Sequence, residues 1–270
     1  MPTTKILVPI YQPNLSPLEE YSLKCSMRAI AGRAICFIAP KSLNCTYYQI
    51  EFKSAEIHLF DDHYFSSVSA YNELLLHRGF YENYAASEFI LIIHTDAIIL
   101  HDRLSFWEES VYDYVGAPWP QGISQTVNVD RFSGKGLSKT IRATVGNGGL
   151  SLRRTRKCSA FIDEFPQAVQ LYLQNGFNED CFFSIMGQLS KNFVIPNEIT
   201  AASFALELTP EHYYAINIQD PMGVHAWWKY NPEFWLQRLP STPPIEEVVD
   251  FLRHANRIEE AVRIDLHSIG

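Results

Sequence analysis

Short runs of consecutive apolar residues recur along the first hundred positions, and segments with helical spacing separate them. In the first connecting segment, Ser16 can cap a helix that has Pro17 at its first position and ends near Ala31. A further helix is predicted over Ser66–His77. The apolar runs themselves have the length of strands and predict buried strands at Lys5–Ile10, Ala34–Ala39, Ala55–Phe60 and Glu88–His94.

This alternation of strands and helices predicts an α/β fold class, with a mostly parallel sheet and helices on both of its faces. Ligands of such sheets bind beyond the carboxyl ends of the strands. Asp96 follows the fourth apolar run. We therefore expect Asp96 to take part in binding.

The second half of the chain predicts fewer elements. A strand is expected at Leu150–Arg153 and a helix at about Phe161–Asn175. Pro243 and Pro244 precede a last helix, in which apolar residues between positions 245 and 262 recur at helical spacing. We therefore expect one domain over residues 1–240 and a helical tail over residues 241–270 that packs on it.

Composition narrows the class of protein. Of the 270 residues 47% are apolar and 19% charged, which excludes a disordered chain, and the net charge of −8 argues against a nucleic-acid partner. The chain shows neither a signal peptide nor a spanning segment, so we expect a cytoplasmic protein, with peripheral contact to the inner membrane face as a further expectation. The five cysteines lack zinc-ligand spacing and an obvious histidine partner, and are interpreted as core residues.

The segment from Arg131 to Lys157 is strongly basic, with eight Lys and Arg residues and no acid. It is either a solvated basic loop or an electropositive rim for an anionic ligand. Gly, Ser and Thr in Ser133–Thr140 indicate a mobile loop. On the second interpretation, the loop carries its charges to the mouth of a site; these charges are Lys135, Lys139 and Arg142.

Two candidate sites lie next to predicted strands, one after a strand and one before it. The first is His94-Thr95-Asp96-Ala97, where a strand-end carboxylate either caps the next turn or binds a hard divalent cation that neutralises a diphosphate. The second is Asn147-Gly148-Gly149, which predicts a tight turn with positive φ. That turn is either a plain hairpin or a place where the backbone approaches a sugar or phosphate.

Two further candidates lie later in the chain. Asn178-Glu179-Asp180 precedes an apolar, aromatic-rich segment, so its acids either cap a helix or hold a carboxylate ready as a general base. His225 lies between a glycine and a pair of tryptophans, in the stretch Pro221–Trp228, which is typical of a binding loop. The chain has no Rossmann fingerprint, P-loop, nucleophile elbow or zinc-binding helix motif.

Taken in order, the four sites resemble the elements of the GT-A glycosyltransferase fold. Members of that fold carry a metal-binding Asp-x-Asp element, a glycine-rich loop, an x-Glu-Asp element and a late histidine. The stretches HTDA, YDYVGAPW, VGNGGLSLR, NEDCFF and GVHAWW are more closely similar to a mostly bacterial family of GT-A-like domains of unknown function. The resemblance extends from about Lys5 to Trp228.

The resemblance implies a GT-A-like (Rossmann-like) sheet and a transferase that moves a sugar from a nucleotide-sugar donor to a hydroxyl of a glycan or lipid-linked acceptor. The implied setting is surface polysaccharide or glycoconjugate synthesis. Asp180 would be the general base of an inverting reaction, with Glu179 as the alternative. The other implied residues are Pro9, Ile10 and Tyr11 at the nucleotide base, Thr95, Asp96, Asn147, Gly148 and Gly149 along the donor, and Trp119, Trp227 and Trp228 at the acceptor.

The resemblance also implies a divalent cation, Mn²⁺ or Mg²⁺, held by Asp96 and His225. The first Asp of the Asp-x-Asp element is His94 in this chain. Metal use therefore has an alternative, in which the basic segment neutralises the diphosphate instead.

Two other classes of function remain open at this point. One is a carbohydrate- or nucleotide-binding module without catalysis. The other is a nucleotidyltransferase, but such enzymes carry a glycine-rich basic signature after the first strand, where this chain has Pro9-Ile10-Tyr11-Gln12-Pro13-Asn14.

Overall fold

A six-stranded sheet forms the centre of the molecule in the computed structural model, which describes residues 3–128, 138–216, 220–241 and Leu252. Its strand order is β3-β2-β1-β4-β7-β6. The first four strands in this order run parallel to one another, whereas β7 is antiparallel to β4 and forms a hairpin with β6. The strands are β1 (Thr4–Pro9), β2 (Ile35–Pro40), β3 (Glu56–Phe60), β4 (Phe89–Ile93), β6 (Tyr114–Asn128) and β7 (Ser138–Arg154).

Three two-residue strands form a small second sheet in the order β5-β9-β8: β5 (Ile98–Ile99), β8 (Ala205–Leu206) and β9 (Gly223–Val224). The described helices are α1 (Pro17–Ala29), α2 (Thr46–Glu51), α3 (Val68–Leu75), α4 (Arg78–Glu82), α5 (Leu104–Glu108), α6 (Thr155–Glu164), α7 (Pro166–Asn175), α8 (Glu179–Gly187), α9 (Glu198–Ala202), α10 (Pro210–Ile216) and α11 (Pro232–Leu236), and a 3₁₀ turn covers Asp62–Phe65.

The two faces of the large sheet are buried by different helices. Alternate residues of β1, Leu7 and Val8, belong to different apolar clusters because successive side chains of a strand point to opposite faces. Leu7 lies with aromatic residues of α4, α6 and α8, whereas Val8 lies with residues of α1, α2 and α5. The central strands β1, β2 and β4 are buried on both sides, which explains their continuous apolar runs in the sequence, whereas β3, at the edge of the sheet, is partly exposed and its predicted burial is wrong.

The predicted mostly parallel sheet is confirmed, and so are the four strands read from the apolar runs. The predicted cap of α1 is also present: the Ser16 hydroxyl accepts from the N–H of Glu19, while the Glu19 carboxylate accepts from the N–H of Ser16. This capping box and Pro17 fix where the helix begins.

Other expectations were wrong in detail. The helix expected over Phe161–Asn175 is two helices, because the chain leaves helical geometry at Phe165 and Pro166 starts a new first turn. Residues 138–140 of the expected loop belong to β7, and residues 133–137 lie outside the described part of the chain.

The predicted tail helix lies outside the described residues, except for Leu252. This leucine is helical and buried in a cluster that also contains Trp227 and Trp235. Among the described helices, none has both the length and the hydropathy to cross a membrane.

Candidate active site

A cavity of about 430 Å³ opens at the carboxyl ends of β1 and β4, where ligands of parallel sheets bind. The chain segments that follow these strands meet the middle of β7 and the start of α8 there. The residues that form its wall include Tyr11, Phe65, Tyr71, Asn72, His94, Asn147, Gly148, Gly149, Asn178, Glu179, Asp180 and His225.

A buried ion pair lies beneath one wall of the cavity. The Arg153 guanidinium is fully buried and donates to Glu179 Oε1 at 2.6 Å. Its other nitrogens donate to Ser151 Oγ at 3.0 Å and to the Tyr81 hydroxyl at 3.1 Å, and the ring of Tyr114 lies 5.0 Å away. Because a buried charge needs such partners, Glu179 is held in one position at the start of α8.

Asp180 is the next residue of α8, and its carboxylate faces the cavity. It accepts the N–H of Gly148 at 3.2 Å and its neighbour's N–H, that of Cys181, at 2.6 Å. Burial and the adjacent negative charge of Glu179 raise the pKa of Asp180 to about 7, against these hydrogen bonds. A carboxylate with such a pKa can accept a proton near neutral pH.

Asp96, His225, Glu207 and Lys229 form a charged cluster that reaches the cavity through His225. His225 Nε2 lies 3.1 Å from Asp96 Oδ1, and His225 Nδ1 lies 3.0 Å from Glu207 Oε1. Lys229 donates to the other Asp96 oxygen at 2.7 Å, and Asn147 donates to Glu207 at 2.6 Å. The result is two buried carboxylates bridged by one imidazole.

The cluster determines the charges of its members. Burial alone would lower the pKa of His225, but the two carboxylates outweigh it and raise that pKa to about 9. Burial alone would raise the pKa of Asp96, but the hydrogen bonds and charges of His225 and Lys229 hold it below its ordinary value. The imidazole of His225 is therefore positively charged at neutral pH.

His94 completes a set of three groups that can bind a cation. Its ring nitrogen, a carboxylate oxygen of Asp96 and a ring nitrogen of His225 all lie within 4.8 Å of one another. Burial lowers the pKa of His94 to about 4, so this imidazole is neutral and offers a lone pair. The sequence predicted only Asp96 and His225 as ligands, and the structure adds His94.

Gly148 and Gly149 lie inside β7 with no positive φ, so the predicted turn at these two residues is wrong. They are needed for another reason, the close approach of two site side chains. A Cβ at Gly149 would lie 2.4 Å from His225 Nε2, and one at Gly148 would lie 2.7 Å from Glu179 Oε1. The glycines let the strand pass between the carboxylate pair and the histidine cluster.

The predicted residues at the nucleotide base differ in exposure. Pro9 and Ile10 are buried, and the N–H of Ile10 donates to the carbonyl of Ile38. Tyr11 is half-buried at the cavity, where its ring contacts the rings of Phe65 and Tyr71. Burial and the charges of Glu179 and Asp96 raise the pKa of Tyr11, so the phenol stays neutral. Of the three predicted residues, Tyr11 is the one that reaches the cavity.

The three tryptophans predicted at the acceptor also differ in burial and in location. Trp227 is fully buried and donates to Ser22 Oγ at 2.9 Å, so it offers no ring face and its predicted role is wrong. Trp228 is half-buried edge-on against Trp227. Trp119 lines a second cavity of about 690 Å³ together with Lys229.

Thr95, predicted at the donor, is half-buried beside α1. Its hydroxyl donates to Glu19 Oε1 at 2.7 Å, and the same glutamate closes the capping box of that helix. Thr95 therefore ties the start of α1 to the carboxyl end of β4, next to Asp96.

The described residues of the basic segment, from position 138 to 157, do not form one electropositive rim. Arg153 is buried in its ion pair, and Arg154 pairs with Glu88 and Asp113. Lys139 and Arg142 are exposed, on strand β7 instead of a loop. Arg131 and Lys135 lie outside the described residues.

Sequence reasoning missed Glu207 and Lys229. Glu207 follows the two-residue strand β8, and Lys229 follows a turn after Trp228. Strands this short give no periodic signal. The single hint was that an acid directly follows an apolar pair at Glu207.

The fold and its cleft define the class: this is an α/β domain with the GT-A glycosyltransferase fold. The structure of the galactosyltransferase LgtC in complex with donor and acceptor sugar analogues superposes with a TM-score of 0.50, at 12% identity, over 82% of this chain and 86% of that one. An active-site mutant of LgtC gives the same values. A glycosyltransferase involved in glycosylation of the major capsid of PBCV-1 gives a TM-score of 0.46 at 10% identity, over 83% and 92%.

The chain belongs to the family described as "Protein of unknown function (DUF5672)", whose model matches residues 54–225. No curated protein matches the sequence. The matched residues include Glu179 and Asp180 and also the three groups that can bind a cation, His94, Asp96 and His225.

Proposed function

We propose that the protein is a glycosyltransferase that transfers a sugar from a nucleotide-sugar donor to an acceptor hydroxyl. The observation that carries the proposal is the cavity itself. Asp180, whose pKa of about 7 suits a general base, faces it from one wall, and the cation-binding group of His94, Asp96 and His225 lies at the other. Inverting glycosyl transfer needs both a base for the acceptor and positive charge for the leaving diphosphate.

The donor would lie across the cavity from Tyr11 to His225. The rings of Tyr11, Phe65 and Tyr71 form an aromatic wall suited to a nucleotide base. His94, Asp96 and His225 would hold the divalent cation, Mn²⁺ or Mg²⁺ by the family resemblance, because two nitrogens and a carboxylate oxygen converge there. His225 would have to release its Nε2 proton to bind it, since its imidazole is charged at neutral pH. That cation, when bound, supplies positive charge to the diphosphate.

The chemical step then follows from the position of Asp180. Its carboxylate takes the proton of the acceptor hydroxyl, whose oxygen forms a bond to the anomeric carbon. The bond from that carbon to the diphosphate oxygen breaks on the opposite face, so the configuration inverts. The N–H of Gly148 orients the carboxylate, and the Arg153–Glu179 pair fixes the first turn of α8.

The acceptor would lie in the second cavity, whose wall includes Trp119. Lys229 joins the two cavities, because it lines the second and bonds to Asp96 at the first. A tryptophan face suits a sugar ring, so a glycan acceptor is the natural partner. We place the reaction in the synthesis of a surface polysaccharide or glycoconjugate, on the cytoplasmic side, where a lipid-linked acceptor would bring the protein to the membrane.

The test is a panel of nucleotide sugars, with and without Mn²⁺, scored by thermal shift and by slow hydrolysis of the donor. At least one donor should stabilise the protein and be hydrolysed. Asp180→Asn should keep the thermal shift and lose about 10²–10⁴ in the rate of transfer. Asp163→Asn, an exposed residue of α6, is the matched control.

The outcomes separate the proposal from a binding module. Donor binding without turnover in the unmodified protein would indicate a non-catalytic module. Turnover that survives Asp180→Asn would move the base to Glu179. No binding by any donor in the panel would contradict the proposal.

A further inference from the structure

Cys36, Glu56 and His58 come together at the amino end of the sheet, away from the cleft. The parallel register of β2 and β3 places Cys36 opposite Glu56 and Ile38 opposite His58. Because side chains alternate along a strand, Glu56 and His58 point to the same face as Cys36. The sequence showed no obvious histidine partner for any cysteine, but β-pairing of residues 20 positions apart brings His58 near Cys36.

The three side chains offer one donor atom each. The Cys36 sulfur, a Glu56 oxygen and a His58 nitrogen all lie within 4.8 Å of one another, and His58 Nε2 is 3.3 Å from Glu56 Oε2. In a tetrahedral zinc site, ligand atoms lie about 3.4–3.6 Å apart, given the usual zinc–ligand bond lengths. Glu56 and His58 are about half exposed, so their side chains can close the remaining distance.

The surroundings hold these donors in place. His58 Nδ1 lies 3.3 Å from the Tyr84 hydroxyl, and the two rings stack with centroids 5.7 Å apart. Lys5 donates to Glu56 Oε1 at 2.7 Å, which leaves Oε2 turned toward His58. Outer partners of this kind orient the imidazole and carboxylate of protein metal sites.

The sulfur has supporting groups of its own. Burial and the charge of Glu56 raise the pKa of Cys36, to about 12, while the charge of Lys5 and the N–H of His58 act in the opposite direction. A coordinated thiol is deprotonated by the metal, and its proton passes to solvent. Sulfur, nitrogen and oxygen donors together favour zinc over magnesium or calcium, which prefer oxygen alone.

We propose that Cys36, Glu56 and His58 bind a divalent ion of the zinc type, with a fourth position open to water. The site is separate from the cation site of the cleft. It lies near the amino ends of β2 and β3, whereas the cleft lies at the carboxyl ends of the parallel strands. It is also independent of the proposed sugar transfer.

Co²⁺ is the probe, because its bond to a thiolate gives a charge-transfer band in the near ultraviolet. The group of His94, Asp96 and His225 contains no sulfur, so that band distinguishes thiolate-bound Co²⁺ from Co²⁺ in the cleft, and the variants below identify the cysteine. The metal-free full chain is titrated with Co²⁺, and the bound Co²⁺ is then displaced by Zn²⁺. We expect the band to appear with one equivalent of thiolate-bound Co²⁺ and to disappear on addition of Zn²⁺.

Variants test the ligand set. Cys36→Ser should abolish the band, and His58→Ala and Glu56→Gln should weaken Co²⁺ binding about tenfold or more. Because Cys36 is fully buried and its variant can lose stability, the variants of the two exposed ligands keep the test independent of folding. Cys45→Ser, at a half-buried cysteine elsewhere, is the matched control and should keep the band.

Two results would overturn the proposal. One is a folded chain without a thiolate band at saturating Co²⁺. The other is a band that persists in Cys36→Ser or is lost in Cys45→Ser, which would assign the sulfur to another residue.

Discussion

Arg153 separates the roles of two neighbouring carboxyl groups. Its guanidinium bonds directly to Glu179, whereas Asp180 accepts the N–H groups of Gly148 and Cys181 and has the negative charge of Glu179 beside it. Two adjacent carboxylates of which one alone has a cationic partner are not equivalent. In the proposed reaction, Glu179 is therefore the positioning partner of Arg153, and Asp180 is the group that takes up a proton.

The raised pKa of Asp180 gives a prediction for stability against pH. Its folded-state pKa of about 7 lies above the ordinary value, so this carboxyl stabilises the fold fully below about pH 4 and loses that effect as the pH rises through 7. The side chain of Asp180→Asn is uncharged at every pH, so the stability of this variant does not fall as the pH rises through 7. At pH 8 the variant should be more stable than the unmodified protein by about 1–4 kcal/mol, since one pKa unit corresponds to about 1.4 kcal/mol.

Urea unfolding of both proteins at pH 4, 6 and 8 measures this difference. It should grow with pH between 4 and 8, because the other carboxyl groups titrate alike in both. A difference that stays constant with pH would show that Asp180 does not titrate near neutrality.

Arg153→Met should be strongly destabilising, because it leaves the Glu179 carboxylate buried without its cation. The expected cost is about 3–5 kcal/mol in the free energy of unfolding. The double variant Arg153→Met with Glu179→Gln removes the uncompensated charge and should recover most of that cost. Arg156→Met, at an exposed position in the first turn of α6, should change the free energy of unfolding by about 0.5 kcal/mol or less. Equal stability of the single and double variants would contradict this account.

At the scale of elements, β7 positions most of the site. It carries Asn147, Gly148 and Gly149 in its middle and Arg153 near its end, and its pairing with β6 shifts register near Gly116, Ala117 and Pro118. These irregularities bring the backbone of β7 against α8 on one side and His225 on the other. The irregular strand β7 therefore lies between Asp180 and His225.

The same strand shows why sequence reasoning stopped where it did. The buried parallel strands can be recognised in the sequence as apolar runs such as Phe89–Ile93, because both faces of these strands are covered. In β6, Pro118, Pro120 and Gly122 break any alternation and read as a loop. Asn147-Gly148-Gly149 reads as a turn for the same reason, because the contacts that demand glycine come from distant residues.

Gly149→Ala and Gly148→Ala should damage different halves of the site. A Cβ at position 149 would displace His225, so this variant should lose donor-diphosphate binding. A Cβ at position 148 would press on Glu179 and Asp180, so this variant should bind the donor and lose turnover. Donor thermal shift and transfer rate, measured on both variants, distinguish them. The same defect in both would mean that the strand moves as a whole.

At the scale of the whole molecule, Asp96 links residues of two cavities. His225 lines the first cavity and Lys229 the second, and both bond to Asp96. The sequence identified Asp96 and His225 by their chemistry, but it could not identify Lys229, because a lysine in a loop is usually a solvated surface residue. Nor could it separate the core residue Trp227 from Trp119, since burial depends on the packing of the whole chain.

Trp119→Ala should affect the acceptor and spare the donor. Trp119 lines the second cavity and is absent from the wall of the first. We expect a raised KM for a glycan acceptor, with the donor thermal shift and donor hydrolysis unchanged. Phe106→Ala, at an exposed ring of α5 that lines neither cavity, is the control. A loss of donor binding in Trp119→Ala would place the tryptophan at the donor instead.

The cleft assembles residues from the segments after β1, β4 and β9 and from α3, β7 and α8, so its walls span positions 11 to 225 of the chain. No local fragment can hold a donor, and a donor that binds the native state alone shifts the equilibrium of global opening. In amide hydrogen exchange, a saturating donor should therefore slow the most protected amides everywhere by one common factor, including those of β2 at the far side of the sheet. Amides that exchange through local fraying should keep their rates, which makes the exchange pattern a measure of how much of the molecule must be folded to bind.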